Sequence, residues 1–405
     1  MLALPTEVPD VVSFRGSFEA APDLADADDV VQSLLANLLD KGTEAHDRFA
    51  IATALEGRGA QVSFYADGLR LGFAGRALRD DLDLVIGLVA EQLMTPALDP
   101  DEVEKAKVRA VAGVRRSRES TGAQASGALS RRIYGPAHPN HVLDPDAEIA
   151  RVEAVTPDDL RDYHASHVGS EGLTVAVVGD VDPDAVAAAL AHAFADLAPH
   201  GRQPVFTAQA GSDTPGRVVI EMADRNNLDV RLGHAVDLRR DHDDFLAAYA
   251  GVFALGGNFS GRLMQTVRDE QGLTYGIGAG LGAPSVRYDG HVGINVTLSQ
   301  ENLDRGIAAT RAEVEAFVAE GVSPDVLAGV QTTLAGRHVV GLATTSGVAA
   351  RLLVNAERGF AVDYLDRYPA LVSALTADEV TAAVRRHVRP AAFHEAVAGT
   401  LPEAA

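Results

Sequence analysis

Hydrophobic and polar positions along the chain switch repeatedly between a two-residue and a 3.6-residue period, the marks of strands and amphipathic helices. Residues 11–18 (VVSFRGSF) read as a strand. Residues 27–40 follow as a helix, with Val30, Val31, Leu34, Leu35, Leu38 and Leu39 on its apolar side, and 47–58 as a second helix. Alternating stretches at 61–66 and 69–75 predict a hairpin turning at Asp67-Gly68. Helical periods then cover 80–94, 100–119 and 123–134. Thr156 caps a further helix with Pro157 at its first position, residues 173–178 (LTVAVV) form a buried strand, and 182–195 is a helix. The stretch 198–216 breaks every period and is rich in Pro, Gly, Gln and Thr, the composition of a linker. Strands near 217–222 and 229–236 come next, then helices near 242–254 and 260–271. Strands at 274–281 and 288–298 precede a helical tail that closes on a short strand near 393–397.

The two halves read as copies of one another. TPDDLRDYHASHVGSEGLTVAVVGD, starting at Thr156, aligns without a gap on TADEVTAAVRRHVRPAAFHEAVAGT, starting at Thr376. Both open on a threonine cap, carry His-Val at the same offset (His167-Val168 and His387-Val388), and place a glycine alike (Gly179 and Gly399). A spacing of about 220 residues is too long for a solenoid repeat and fits duplication of a whole domain. The expected architecture is therefore α+β: an N-terminal domain over 1–198, a linker over 199–216 and a C-terminal domain over 217–405.

Charge and composition narrow the class. Lys plus Arg number 35 against 57 Asp plus Glu, a formal net charge of −22, which argues against nucleic acid as a partner. Cysteine is absent, which removes disulfides, thiolate zinc sites and cysteine nucleophiles. No apolar run approaches the roughly eighteen residues of a membrane span. The opening MLALPTEVPDVVSF has neither a basic nor a long apolar segment, so the expected location is cytoplasmic, or periplasmic had a signal been removed before residue 1.

Candidate chemistry is sparse. His164 and His167 stand three apart in a helix with Asp158 and Asp162 nearby, and His138 and His141 flank Pro139-Asn140 in a loop. Neither pair supplies the three ligands of a catalytic zinc, and both read as ordinary surface or loop histidines. No H-E-x-x-H, H-x-x-E-H, G-x-S-x-G or Walker pattern occurs, and Gly256-Gly257-Asn258 reads as a turn between helices. One segment departs from core-and-surface patterning: 254–280, ALGGNFSGRLMQTVRDEQGLTYGIGAG. Arg268 falls at a helix end and Tyr275 on the next strand, a cation and a neutral donor suited to a carbonyl gaining negative charge. The plainer alternative pairs Arg268 with Asp269, Glu270 or solvent and half-buries Tyr275 in a sheet.

That segment resembles the C-terminal domain of the insulinase/pitrilysin (inverzincin) family of zinc metallopeptidases. The family pattern L-G-G/S-x-x-S-S-R-L, L-R-E, G-L-x-Y is similar to Leu255-Gly256-Gly257, Ser260-Gly261-Arg262-Leu263, Val267-Arg268-Asp269 and Gly272-Leu273-Thr274-Tyr275. Its arginine–tyrosine pair falls on Arg268 and Tyr275. Lys41-Gly42-Thr43, residues 51–60, 95–105, 134–139 and 175–180 also match in order. The resemblance implies two duplicated domains, each a mostly antiparallel sheet packed with helices. It also places the zinc motif H-x-x-E-H on Ser33-Leu34-Leu35-Ala36-Asn37, so Ser33, Ala36 and Asn37 stand where two histidines and the glutamate belong. The later acidic ligand falls within 103–114 (VEKAKVRAVAGV), where Ala106, Ala112 and Gly113 hold the acidic positions. By this resemblance the chain binds no cofactor, and zinc is expected on a partner subunit that carries H-x-x-E-H. The implied role is the non-catalytic half of a heterodimeric peptidase, inactive alone, with Arg268 and Tyr275 binding peptide substrate or oxyanion in trans. The alternatives are a structural or peptide-binding homodimer resembling respiratory core proteins, and an enzyme built on an unrelated site such as His164/His167.

Overall fold

The computed structural model describes residues 1–20, 29–199, 210 and 214–402. Among the described residues, ten strands form two sheets. The first holds β1 (Leu2–Pro5), β2 (Val11–Glu19), β3 (Gln61–Asp67), β4 (Arg70–Leu78) and β5 (Thr174–Gly179) in the order β1-β5-β2-β4-β3. The second holds β6 (Arg217–Glu221), β7 (Asn227–Ala235), β8 (Thr274–Gly282), β9 (His291–Ser299) and β10 (His394–Gly399) in the order β6-β10-β7-β9-β8. Adding five to each number of the first order gives the second. In each sheet one pairing is parallel, β1 with β5 and β6 with β10, and the others are antiparallel. The expected α+β class with two homologous domains is thus what the chain adopts.

The copies agree in detail. Helices Pro157–His167 and Ala377–His387 start with reciprocal capping boxes, Thr156 with Asp159 and Thr376 with Glu379. Gly179 and Gly399 close β5 and β10 at φ 150° and 145°, a region that favours glycine.

The compact units are not the consecutive halves expected from the linker. One comprises 1–114, 146–206 and 339–366; the other comprises 115–145, 207–338 and 367–405. Positions 200–209 and 211–213 of the 199–216 linker lie outside the described residues. The reason for the interleaving is a reciprocal exchange of equivalent helices. Helix Thr121–Ile133 from the first half lies on β7 and β10, where Thr121 donates to Asp229 at 2.6 Å. Helix Thr345–Glu357 from the second half lies on β2 and β5, where Ser17 donates to Glu357 at 2.5 Å.

Alternation along the central strands explains why each sheet accepts a second layer. In β5, Val175 and Val177 face the main core of the first unit, while Ala176 and Val178 meet Ala349, Leu352 and Leu353 of the exchanged helix. In β10, Val397 faces the main core of the second unit, and Ala396 joins Ala128, Leu129 and Ile133. A small alanine at the middle of that face lets a helix approach closely. Both strands are buried on both faces, which removes most of their polar alternation.

Local departures from expectation are few. The helix expected over 27–40 spans Asp29–Ala36 and gives way to a turn at 37–40; positions 27 and 28 lie outside the described residues. β1 and helix Pro145–Ala154 carry too short a pattern to be read from the sequence. The helix expected at 260–271 contains a π-helical stretch, Met264–Glu270. No single helix among the described residues is long and apolar enough to cross a membrane.

Candidate functional site

The Arg268/Tyr275 corner is built by three successive elements of the second unit. Helix Phe245–Gly256 is almost wholly buried and ends against β8. The glycine there is a packing requirement, since a Cβ on Gly256 would fall 2.5 Å from the backbone nitrogen of Ala279. Ser260 donates to Asn258 at 3.0 Å in the turn that follows, and Arg262 is fixed by Glu313 at 3.0 Å and Glu320 at 2.6 Å. Those carboxylates keep the Arg262 guanidinium protonated by raising its pKa, through the Glu320 hydrogen bond foremost.

The chain then widens into the π-helical stretch Met264–Glu270, with Met264 and Val267 buried and Arg268 on the solvent side. Its wider spacing shows in the bond from Gln271 N–H to the Thr266 carbonyl, 3.0 Å. Gly272, at φ +64°, turns the backbone out of the helix, and buried Leu273 anchors the start of β8. β8 is an edge strand, and its register with β9 shifts at its first residues. Thr274 pairs with Leu298 and Gly276 with Thr297, leaving Tyr275 as a bulged residue with no opposite number. Thr274 pins the bulge: its hydroxyl donates to the Thr297 carbonyl at 2.5 Å and accepts the Gly276 N–H at 3.0 Å.

The structure therefore brings Arg268 and Tyr275 together. Arg268 Nε donates to the Tyr275 carbonyl at 3.3 Å, and Nη1 donates to Asp269 at 2.5 Å. Nη2 has no protein partner among the described residues. Tyr275 is 94% exposed, against the half-buried position of the plainer sequence alternative. The expected Arg268–Asp269 ion pair of that alternative is present, and it leaves part of the guanidinium free. The corner thus offers one cationic N–H edge and one phenolic hydroxyl to a ligand laid along an edge strand.

The positions matched to the zinc motif present no such chemistry. Ser33 and Asn37 are exposed on one side of helix Asp29–Ala36 and the turn after it, and Asn37 Nδ2 is spent on the Ser33 carbonyl at 2.7 Å. Ala36 is buried, as is Ala106. A serine hydroxyl, an alanine methyl and an asparagine amide do not make a zinc donor set, and no group of three ligating side chains forms there among the described residues.

The histidine pairs noted in the sequence are structural. His164 Nε2 bonds to the Leu93 carbonyl at 2.7 Å, while His167 Nδ1 bonds to the Tyr163 carbonyl at 3.1 Å and stacks on the Tyr163 ring. They do not converge on a common point with Asp158 and Asp162 as a ligand set. His138 is buried against Tyr134, and His141 bonds to the Tyr134 carbonyl at 3.0 Å. Burial pushes the His138 imidazole down to about 4, so it packs neutral.

The sequence missed the backbone devices that present Arg268 and Tyr275, the π-helical stretch and the bulge, because neither leaves a periodic trace. It also missed Gln92, which is fully buried and borders a cavity of about 790 Å³ beside Arg48, Leu55 and Gln61 in the first unit. Neither amide atom of Gln92 has a hydrogen-bond partner among the described residues.

Comparison with known proteins bears on both regions. Residues 154–334, which include Arg268 and Tyr275 but not Ser33–Asn37, match a family described as the peptidase M16 inactive domain. An uncharacterized zinc protease of Mycobacterium tuberculosis is 24% identical over 371 residues, 90% of this chain and 82% of that protein. The non-peptidase homolog YmxG of Helicobacter pylori is 22% identical over 325 residues, 79% of this chain and 73% of that protein. Among solved structures, a peptidase M16 inactive-domain protein of Pseudomonas fluorescens superposes with a TM-score of 0.88 at 24% identity, covering 99% of this chain and 95% of that one. The fold recurs in the ferredoxin protease FusC, solved as a mutant in complex with Arabidopsis ferredoxin, with a TM-score of 0.76 at 12% identity over 99% of this chain and 44% of that one. Residues 154–334 thus match the domain described as the inactive domain of peptidase M16, and most of the chain is similar to proteins named uncharacterized zinc proteases.

Proposed function

We propose that this chain is the non-catalytic, substrate-holding subunit of a two-chain zinc metallopeptidase. One observation carries the proposal: the zinc-motif positions are Ser33, Ala36 and Asn37, while Arg268 and Tyr275 are retained and presented to solvent on irregular backbone. A chain that had lost all function would have no reason to keep a fully solvated tyrosine on a bulge beside a partly free guanidinium. In this role Arg268 Nη2 and the Tyr275 hydroxyl donate to a peptide carbonyl and strengthen those bonds as the oxygen gains charge. The catalytic zinc and its general base belong to a partner that carries H-x-x-E-H; this chain supplies donors only. Donors of this kind contribute roughly 10²- to 10³-fold each in rate.

The test is reconstitution. The chain alone is expected to leave an extended peptide uncut, and an H-x-x-E-H family subunit from the same organism is expected to cut it faster when this chain is added. Cleavage by the lone chain, or a partner whose rate does not respond to it, contradicts the proposal.

A second reading is favoured by the likeness to a protein named a non-peptidase homolog. Here the chain is a peptide-binding or structural homodimer of the core-protein kind, with Arg268 and Tyr275 used only to hold peptide. Peptide binding by the chain alone, with no rate gain in any mixture, is its signature.

A further inference from the structure

Outside the Arg268/Tyr275 corner, one cluster of side chains in the second unit has the make-up of a cation site. His242 and Asp244 lie in the turn that leads into helix Phe245–Gly256, and His387 is the last residue of helix Ala377–His387. One ligand atom from each of the three falls within 4.8 Å of the other two. His387 Nε2 and Asp244 Oδ2 are 2.9 Å apart, and the Asp244 N–H donates to His242 Nδ1 at 3.0 Å. The two imidazole rings meet edge to face, 5.5 Å between centroids. His387 is 7% exposed, Asp244 partly buried and His242 at the surface, so the group has a closed inner side and an open outer one.

We propose that His242, Asp244 and His387 bind a zinc-like divalent cation, with solvent completing its shell. Two imidazoles and one carboxylate are the donor types such an ion selects, and three protein ligands with a free position is a stable arrangement. With bonds of 2.0–2.1 Å at tetrahedral angles, ligand atoms stand about 3.3 Å apart. The observed separations, from 2.9 Å to within 4.8 Å, bracket that value, so rotation of the exposed His242 side chain is enough to close the site.

The protonation states are compatible. His242 Nδ1 accepts the Asp244 N–H and so carries its lone pair; coordination through Nδ1 replaces that hydrogen bond and returns the N–H to solvent, while Nε2–H stays with water. His387 Nε2 donates to Asp244, and a cation displaces that proton to Nδ1 or to solvent. Arg386 also bonds to Asp244 Oδ2, which casts Arg386 as the group that orients the carboxylate. The cation would tie the start of one core helix to the end of another, a stabilising rather than a catalytic role. The sequence alone gives the expectation that this chain binds no metal, and the proposed site, separate from the positions matched to H-x-x-E-H, departs from it.

The test is calorimetric titration of the untagged, metal-stripped chain with zinc chloride, alongside thermal unfolding with and without zinc. One equivalent is expected to bind with a dissociation constant in the micromolar range or tighter and to raise Tm. His242→Ala is the primary variant because that residue is exposed: its metal-free Tm should match the parent, while zinc affinity falls at least tenfold and the zinc-dependent Tm rise disappears. Asp244→Asn is expected to lose binding likewise. Absence of saturable binding overturns the proposal, and so does one-equivalent binding that survives in both variants.

Discussion

Two corners of the molecule occupy the same place in the duplicated fold and have diverged. In the first unit, helix Arg48–Glu56 is a regular α-helix capped by Asp47, Gly59 turns the chain at φ +64°, and β3 runs in register along β4. In the second, the π-helical stretch Met264–Glu270 replaces a regular helix, Gly272 turns the chain at the same φ of +64°, and β8 begins with a bulge. Counted from the two glycines, Arg268 stands where the first unit has Leu55, and Tyr275 where it has Val62. Leu55 is buried and Val62 packs against the core, whereas Arg268 and Tyr275 face solvent. The turn is a shared inheritance. Among the described residues, the irregular backbone falls in the copy that displays a cation and a phenol.

The units also differ in how they store histidine, which gives the largest expected effect. His138, His234 and His291 all lie in the second unit, and burial holds each near 4, against 6.5 in the unfolded chain. As pH falls from 6.5 toward 4 the unfolded state takes up these protons first, so stability is lost across that window. Asp289 acts in the opposite sense: burial raises its carboxyl to about 6, so it regains stability between pH 6 and 4. One histidine shifted this far is worth about 3 kcal/mol, and three against one carboxyl leave a net loss of several. Hydrogen exchange followed by mass spectrometry should show the second unit deprotecting before the first on acidification; equal deprotection would break the contrast.

Next in size is a pair of truncations at positions equally spaced from the two glycines. Leu55→Ala should cost about 3 kcal/mol of stability in urea unfolding, as a buried leucine does, and Arg268→Ala less than about 0.5 kcal/mol. A large cost for Arg268→Ala would make it a structural residue and undo its reading as a displayed donor. Smaller still, Gly59→Ala and Gly272→Ala should each cost about 1 kcal/mol, since both need a left-handed backbone and neither has a neighbour within 4 Å of an added Cβ. Their difference should appear in function alone: only Gly272→Ala is expected to lower the rate of a reconstituted mixture.

Much of the fold was legible in the sequence, because the repeated cap, His-Val pair and terminal glycine are short-range signals with fixed spacing. Thr156 and Thr376 announce their helices through side chains three residues away, and both capping boxes are present. The exchange of helices Thr121–Ile133 and Thr345–Glu357 was not legible, since an apolar stripe says that a helix packs but not on which sheet. The π-helical stretch was read as an ordinary helix because Met264 and Val267 satisfy a 3.6-residue period over so short a span. Tyr275 sits within a strand pattern, and only the pairing with β9 reveals the bulge. His242 and Asp244 lie more than 140 positions from His387, so no local spacing points to their cluster.

The proposed division of labour between the Arg268/Tyr275 corner and a zinc-bearing partner is tested most directly by kcat/KM of the mixture with an H-x-x-E-H partner. Arg268→Ala combined with Tyr275→Phe should lower it by about 10²-fold or more, while Ser33→Ala combined with Asn37→Ala should leave it unchanged. An undiminished rate in the first double variant would contradict the account.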